Sequence, residues 1–225
     1  MTKIKMTISL VFIICLILNI ANVHSQTVRE KRKGYSQSSD IRLFSAIQEG
    51  DTAKVIQYLD EGDNPNAYGN HGLRPLMLAI QKRNKSIFRV LLKRGACVNA
   101  KDLFSMNSLH IAASTDQVNM AQALIENGAK INEACTSLWI PIHLACAYGN
   151  LDMVKLLARN GSPLNSQNAT GLTPLMFAVA NNHRELVRYL VAHHARQDIK
   201  DSDGQTAKMI AKSKKYFDIV KILKK

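Results

Sequence analysis

The feature that most constrains this chain is a step of 33 residues, as from Arg74 to Asn107, that recurs without a gap. "RPLM" begins at Arg74, "NSLH" at Asn107, "IPIH" at Ile140, "TPLM" at Thr173 and "TAKM" at Thr206. Other columns keep the same step. Ala46, Ala79, Ala112, Ala145, Ala178 and Ala211 form one. Gly62, Gly95, Gly128 and Gly161 lead to His194, and Asn66, Asn99, Asn132 and Asn165 lead to Asp198. Leu91, Leu124, Leu157, Leu190 and Leu223 complete the pattern. Such a chain must fold as copies of one supersecondary unit, each burying its apolar face against its neighbours.

Each copy reads as a pair of helices. In the copy at 169–201, Thr173 can cap the first helix, and Pro174 suits the first helical position, where no N–H is missed. Leu175, Ala178 and Val179 then supply a narrow apolar stripe. "NNHREL" turns the chain into a second helix, "LVRYLVA", and Asn168 to Gly171 supply turn chemistry between copies. The period and the T-P-L-H-x-A core resemble the ankyrin repeat family over about residues 37–225. That resemblance implies an all-α solenoid of stacked helix-turn-helix units with projecting β-hairpin loops. The repeats fall at 37–69 (a cap), 70–102, 103–135, 136–168, 169–201 and 202–225 (a truncated cap). The chain departs from the family pattern in places. Arg74 and Ile140 cannot cap through a side-chain oxygen, although Asn107 can. Loop glycine stands at Gly72, Gly171 and Gly204 but gives way to Ser105 and Leu138, so the loops of repeats three and four are expected to be non-standard.

Ahead of the repeats, Lys3 and Lys5 precede an apolar run from Ile8 to Ile20, with Val23 and Ser25 before Gln26. Residues 1–25 are therefore expected to be a secretory signal peptide, the run being shorter than the ~20 residues a span needs. Residues 26–36 form a basic leader, in which Arg29 to Arg32 resembles a convertase cleavage site but is read first as an ordinary solvated charge run. The protein is expected to act outside the cytosol, secreted or periplasmic, with no membrane span after cleavage. Asn84 and Asn168 head glycosylation sequons. After the signal, Cys97, Cys135 and Cys146 remain, an odd number that allows no complete disulfide framework.

The net charge of +13 suggests nucleic acid until its placement is read. Between 41 and 207 there are 17 basic and 14 acidic residues, and the excess lies at the termini. No specific nucleic-acid binding is expected, since that needs clustering on one working face.

His143 and Cys146, three apart on one helix, look like a ligand pair or an activated thiol. The register argues otherwise. His143 shares its column with His110, Met77, Met176 and Met209, and Cys146 shares one with Ile80, Ala113 and Val179. Both are expected to be scaffold, the histidine fixing the helix start and the neighbouring loop, as the resemblance implies. With no nucleophile triad, phosphate loop or metal motif in the sequence, no catalysis, cofactor or metal is expected.

Recognition then falls to surface residues. Two positions before the proline column stand Leu73, Met106, Trp139 and Leu172, with Phe104 and Tyr148 nearby. Together they are expected to form an apolar partner-binding face on the hairpin and first-helix side, which the resemblance makes concave. The expected function is a monomeric, non-catalytic scaffold for a protein partner. The alternatives are a secreted effector or toxin-like factor aimed at a host protein, or a basic module that binds acidic surfaces.

Overall fold

The computed structural model describes residues 38–223, with side chains from residue 41. The expected signal peptide and basic leader, within residues 1–37, and the last two lysines lie outside the described residues. Among the described residues twelve α-helices follow one another in six pairs: α1 (Ser38–Glu49) and α2 (Thr52–Asp60), α3 (Pro75–Gln81) and α4 (Lys85–Lys93), α5 (Ser108–Ser114) and α6 (Val118–Glu126). Then come α7 (Pro141–Tyr148) and α8 (Leu151–Arg159), α9 (Pro174–Ala180) and α10 (Arg184–Ala192), α11 (Ala207–Ser213) and α12 (Phe217–Ile222). Each first helix packs on its own second helix and on the first helices either side. The alanine column makes that approach possible. All six alanines are at most 1% exposed, because a larger side chain there would hold the first-helix row apart. Leu91, Leu124, Leu157 and Leu190 lie buried on the second helices, with Ile87, Met120, Met153 and Leu186 beside them.

Side chains at fixed columns tie each repeat to the next. Asn66 Oδ1 accepts from Cys97 N–H at 2.6 Å and its Nδ2 donates to Gly95 O at 3.1 Å. Asn99 repeats both bonds on Lys130 N–H (2.8 Å) and Gly128 O (2.9 Å). Asn132 keeps the bond to Gly161 O at 3.2 Å and takes the Ser162 hydroxyl at 2.9 Å, and Asn165 accepts from Arg196 N–H at 2.8 Å. The asparagine column is thus a clasp between the turn ending one copy and the second-helix terminus of the next.

Those termini need a left-handed residue just past the helix. Gly62, Gly95, Gly128 and Gly161 supply it with φ between 79° and 99°. His194 holds the same place at φ 61°, and Ala195 N–H closes the motif on Leu190 O at 2.9 Å. A Cβ in that region meets the carbonyl that follows, so His194→Gly is expected to raise the unfolding free energy by about 1 kcal/mol in urea titration.

Among the described residues there is no strand, so the hairpins implied by the family resemblance are tight turns. Each is closed by one backbone bond between its first and fifth residues: Gly69 to Leu73 (2.8 Å), Asp102 to Met106 (2.9 Å), Cys135 to Trp139 (2.8 Å), Asn168 to Leu172 (3.1 Å) and Asp201 to Gln205 (3.0 Å). Five residues are too few for a ladder.

Candidate protein-binding face

The turns project side by side and are stitched together. Leu103 N–H donates to His71 O, Thr136 N–H to Phe104 O, Ala169 N–H to Ser137 O and Ser202 N–H to Thr170 O, all at 2.9–3.0 Å. Two turn forms occur within this row, and glycine does not select between them. Ser105 (φ 60°) and Leu138 (φ 59°) adopt the left-handed backbone of Gly72, Gly171 and Gly204, which corrects the expectation that losing glycine changes the loop. The first residue selects the form. Asp102, Asn168 and Asp201 each accept two backbone N–H groups inside the turn, as Asp102 does from Phe104 (2.8 Å) and Met106 (2.9 Å). Gly69 and Cys135 have no such acceptor, and their turns instead carry a second left-handed residue, His71 (φ 58°) and Ser137 (φ 67°).

The helix starts beneath the turns hold the buried histidines. His143 is fully buried; its Nδ1 accepts from Ile140 N–H at 3.1 Å and its Nε2 donates to Ser166 O at 3.0 Å. His110 likewise accepts from Asn107 N–H at 3.2 Å and donates to Trp139 O at 3.1 Å. In these two repeats the ring nitrogens thereby satisfy the N–H of the residue that precedes the first helix and fasten the helix start to chain further along, at Trp139 and Ser166. Burial drives both imidazoles toward the neutral form, with the His110 pKa lowered to about 4 and that of His143 lowered as well. Cys146 has no exposed surface and burial pushes its thiol well above the usual range, so it packs as a small apolar side chain. Cys135 is also pushed up, to about 11, chiefly by burial. Repeat three has the least satisfied helix start, for Asn107 Nδ2 and Ser108 Oγ are buried without a partner.

The six expected contact residues sit lower in the surface than their column suggests. Leu73, Phe104, Met106, Trp139, Tyr148 and Leu172 are all half-buried, and all but Phe104 are packed against the core. Trp139 lies on Phe177 of the next repeat, ring centroids 4.4 Å apart, and 6.4 Å from His143. Phe104 leans the other way, onto His71 at 6.5 Å. The aromatic residues therefore fill seams between repeats, and no ring pair among the described residues joins Phe104 to Trp139. What stands proud is aliphatic. Leu103 (50% exposed) and Leu138 (57% exposed) cap adjacent turns. In the sequence Leu138 stands out only as a missing glycine. The signal was available, since an apolar residue at a left-handed turn position gains nothing locally.

The two sequons differ as well. Asn168 is 6% exposed, with Oδ1 engaged by Thr170 and Leu172 as the turn's own clasp. Asn84 is half-buried and caps α4 through Ile87 N–H at 3.0 Å.

Comparison with known proteins agrees with this architecture. A family model described as ankyrin repeats (3 copies) matches residues 43–135 and 142–225, and a second, ankyrin repeats (many copies), matches 117–158. Among curated proteins, an ankyrin repeat protein of Fowlpox virus (strain NVSL) is 34% identical over 74 residues, 32% of this chain and 39% of its own length. An ankyrin repeat-containing protein of Schizosaccharomyces pombe (strain 972 / ATCC 24843) is 30% identical over 76 residues, 31% of this chain and 37% of its own. A second Fowlpox virus protein is 31% identical over 77 residues, 34% of this chain and 15% of its own. The chain spans well under half the length of each of these relatives.

Proposed function

The chain belongs to the ankyrin repeat family, whose repeats indicate a scaffold for protein–protein interaction, and from that premise we propose that it captures a protein partner outside the cytosol through the turns of repeats three and four. Leu138 carries the reading. It is exposed and apolar, and it is held in a backbone region where the turns of repeats two, five and six use glycine. Strain of that kind is retained where the side chain has work to do at the surface. Leu103 beside it, with Met106, Phe104 and Trp139 rising from the seams, extends the apolar ground around it. Leu73, Leu172 and Tyr148 flank this ground as a half-buried margin. The surface is preorganised by the bonds between turns, so little ordering cost attends capture.

Stability and binding should therefore move in opposite directions. Leu138→Gly relieves the left-handed strain and is expected to raise the unfolding free energy by about 1 kcal/mol. The same change is expected to weaken partner capture about tenfold, the loss of one apolar anchor. Affinity capture from extracellular fluid, comparing the full chain with Leu138→Gly, reads both effects together with thermal melts. A more stable variant that retains its partner undiminished overturns the site. Acting outside the cytosol rests on residues 1–25, and export of a reporter fused to that segment, with a mature end at Gln26, tests it separately.

A further inference from the structure

The near balance of charge across the body conceals one very uneven repeat. Residues 70–102 contain eight basic side chains and a single acidic one, Asp102. Repeat one answers with an acidic excess, and so the sum over 41–207 looks mild. The structure shows where the repeat-two cations go. Arg74 is drawn inward, donating to Asn66 O at 2.9 Å and stacking on Tyr68 at 3.4 Å. Lys101 pairs with Glu133 and Arg94 with Asp60, while Arg83 donates to Thr115 O at 3.2 Å. Four remain. Lys82, Lys85, Arg89 and Lys93 are exposed, and their side chains make no hydrogen bond or ion pair among the described residues.

Three of these form a row. Lys85, Arg89 and Lys93 are four residues apart on α4, so they share one helix face at intervals of about 6 Å. The opposite face, Ile87, Phe88 and Leu91, is buried in the stack. Lys82, in the turn leading into α4, adds a charge at one end. Each neighbouring second helix contributes little that could neutralise the row: Thr52 and Ile56 on α2, Val118 and Gln122 on α6 occupy the columns of Lys85 and Arg89. The columns of Lys82 and Lys93 do have acidic neighbours, Glu49, Asp60 and Glu126, but Glu49 is held by Lys54 and Asp60 by Arg94. Four like charges at short spacing repel one another, and nothing in the fold repays that cost.

We propose that this row is a docking strip for a linear sulfated polysaccharide. A straight file of cations with no exposed aromatic side chain among them suits evenly spaced anionic groups. It offers no platform for stacking unpaired bases, which single-stranded nucleic acid would use. It also lacks the apolar anchors that would seat a helix face in a membrane. A glycan also fits a chain that works outside the cytosol, and in this respect the assignment rests on the proposed location. The strip lies on a second helix, away from the turns, so glycan and protein partner can be held together.

The test uses the full chain with heparin, chemically desulfated heparin, duplex DNA and phosphatidylserine vesicles as probes. Heparin is expected to bind in a salt-sensitive manner, and the triple change Lys85→Gln, Arg89→Gln and Lys93→Gln to weaken it about tenfold. A control of equal charge, Lys208→Gln, Lys212→Gln and Lys215→Gln, should weaken it less than threefold by screening alone. Desulfated heparin should not bind. Equal losses in the two triple variants would reduce the effect to net charge and overturn the strip. Tighter binding of DNA or vesicles than of heparin would overturn the ligand class. Because binding is read with purified components, a cytosolic location would defeat the location proposal while leaving this result standing.

Discussion

Replacing His143 by alanine is expected to lower the unfolding free energy by about 4 kcal/mol, a large part of a domain's total. The substitution empties a fully buried ring site and strips partners from Ile140 N–H and Ser166 O together. An orphaned buried group costs about 1–3 kcal/mol, and the cavity adds to it. The chain itself supplies the contrasting variant. Met77 and Met176 occupy the same column, and Met176 places Sδ 3.5 Å from Thr173 N. His143→Met keeps the volume and a weak acceptor, and should cost only about 1–2 kcal/mol. Urea titration of both variants decides the matter. A mild alanine variant would mean that the ring does not hold the start of α7 to the segment that leads out of repeat four.

Acid should weaken the fold well before its carboxylates are protonated. The neutral imidazole of His110 is favoured in the folded chain, with a pKa of about 4 against 6.5 when free. Between those values the unfolded chain binds the extra proton, so stability is complete above pH 6.5 and falls steadily as pH drops toward 4. Below 4 both states are protonated and the loss levels off at about 3 kcal/mol for this one residue. His143, shifted the same way by burial, adds to the fall below pH 6.5. Thermal melts at fixed ionic strength from pH 7 to pH 4 should show the decline. A His110→Met, His143→Met chain should lose most of the slope between pH 6.5 and 4.5. An unchanged slope in that double variant would assign the acid response elsewhere.

The fold was readable because its stabilising residues repeat. A column that is alanine in six copies, or leucine in five, reports its environment six or five times over, and noise cannot imitate that. The roles of His143 and Cys146 were legible for the same reason, since methionine and valine stand in for them in other copies. The surface was not readable in that way. Trp139 looks exposed when its column is compared with polar family positions, yet it turns into the seam because Phe177 offers a flat apolar neighbour there. The fourth residue of the loop, glycine or not, suggests the turn form, whereas the first residue decides it through an oxygen that either is or is not present at position 102, 135 or 168. The basic row is hidden in any sum of charge over 41–207, because the acidic excess of repeat one cancels the basic excess of repeat two. Averages suit a globule; a stack has to be read one copy at a time.

The asparagine clasps reach only from each copy to the next, spanning 29 to 31 residues in sequence. Nothing comparable ties repeat two to repeat five. Loss of order at either extremity can accordingly travel inward by fraying, one unit at a time, while the middle keeps its shape. A protein gripped across repeats three and four would act as a splint at the centre. It would leave the outer units free to open and close, and amide exchange would register its arrival most strongly there.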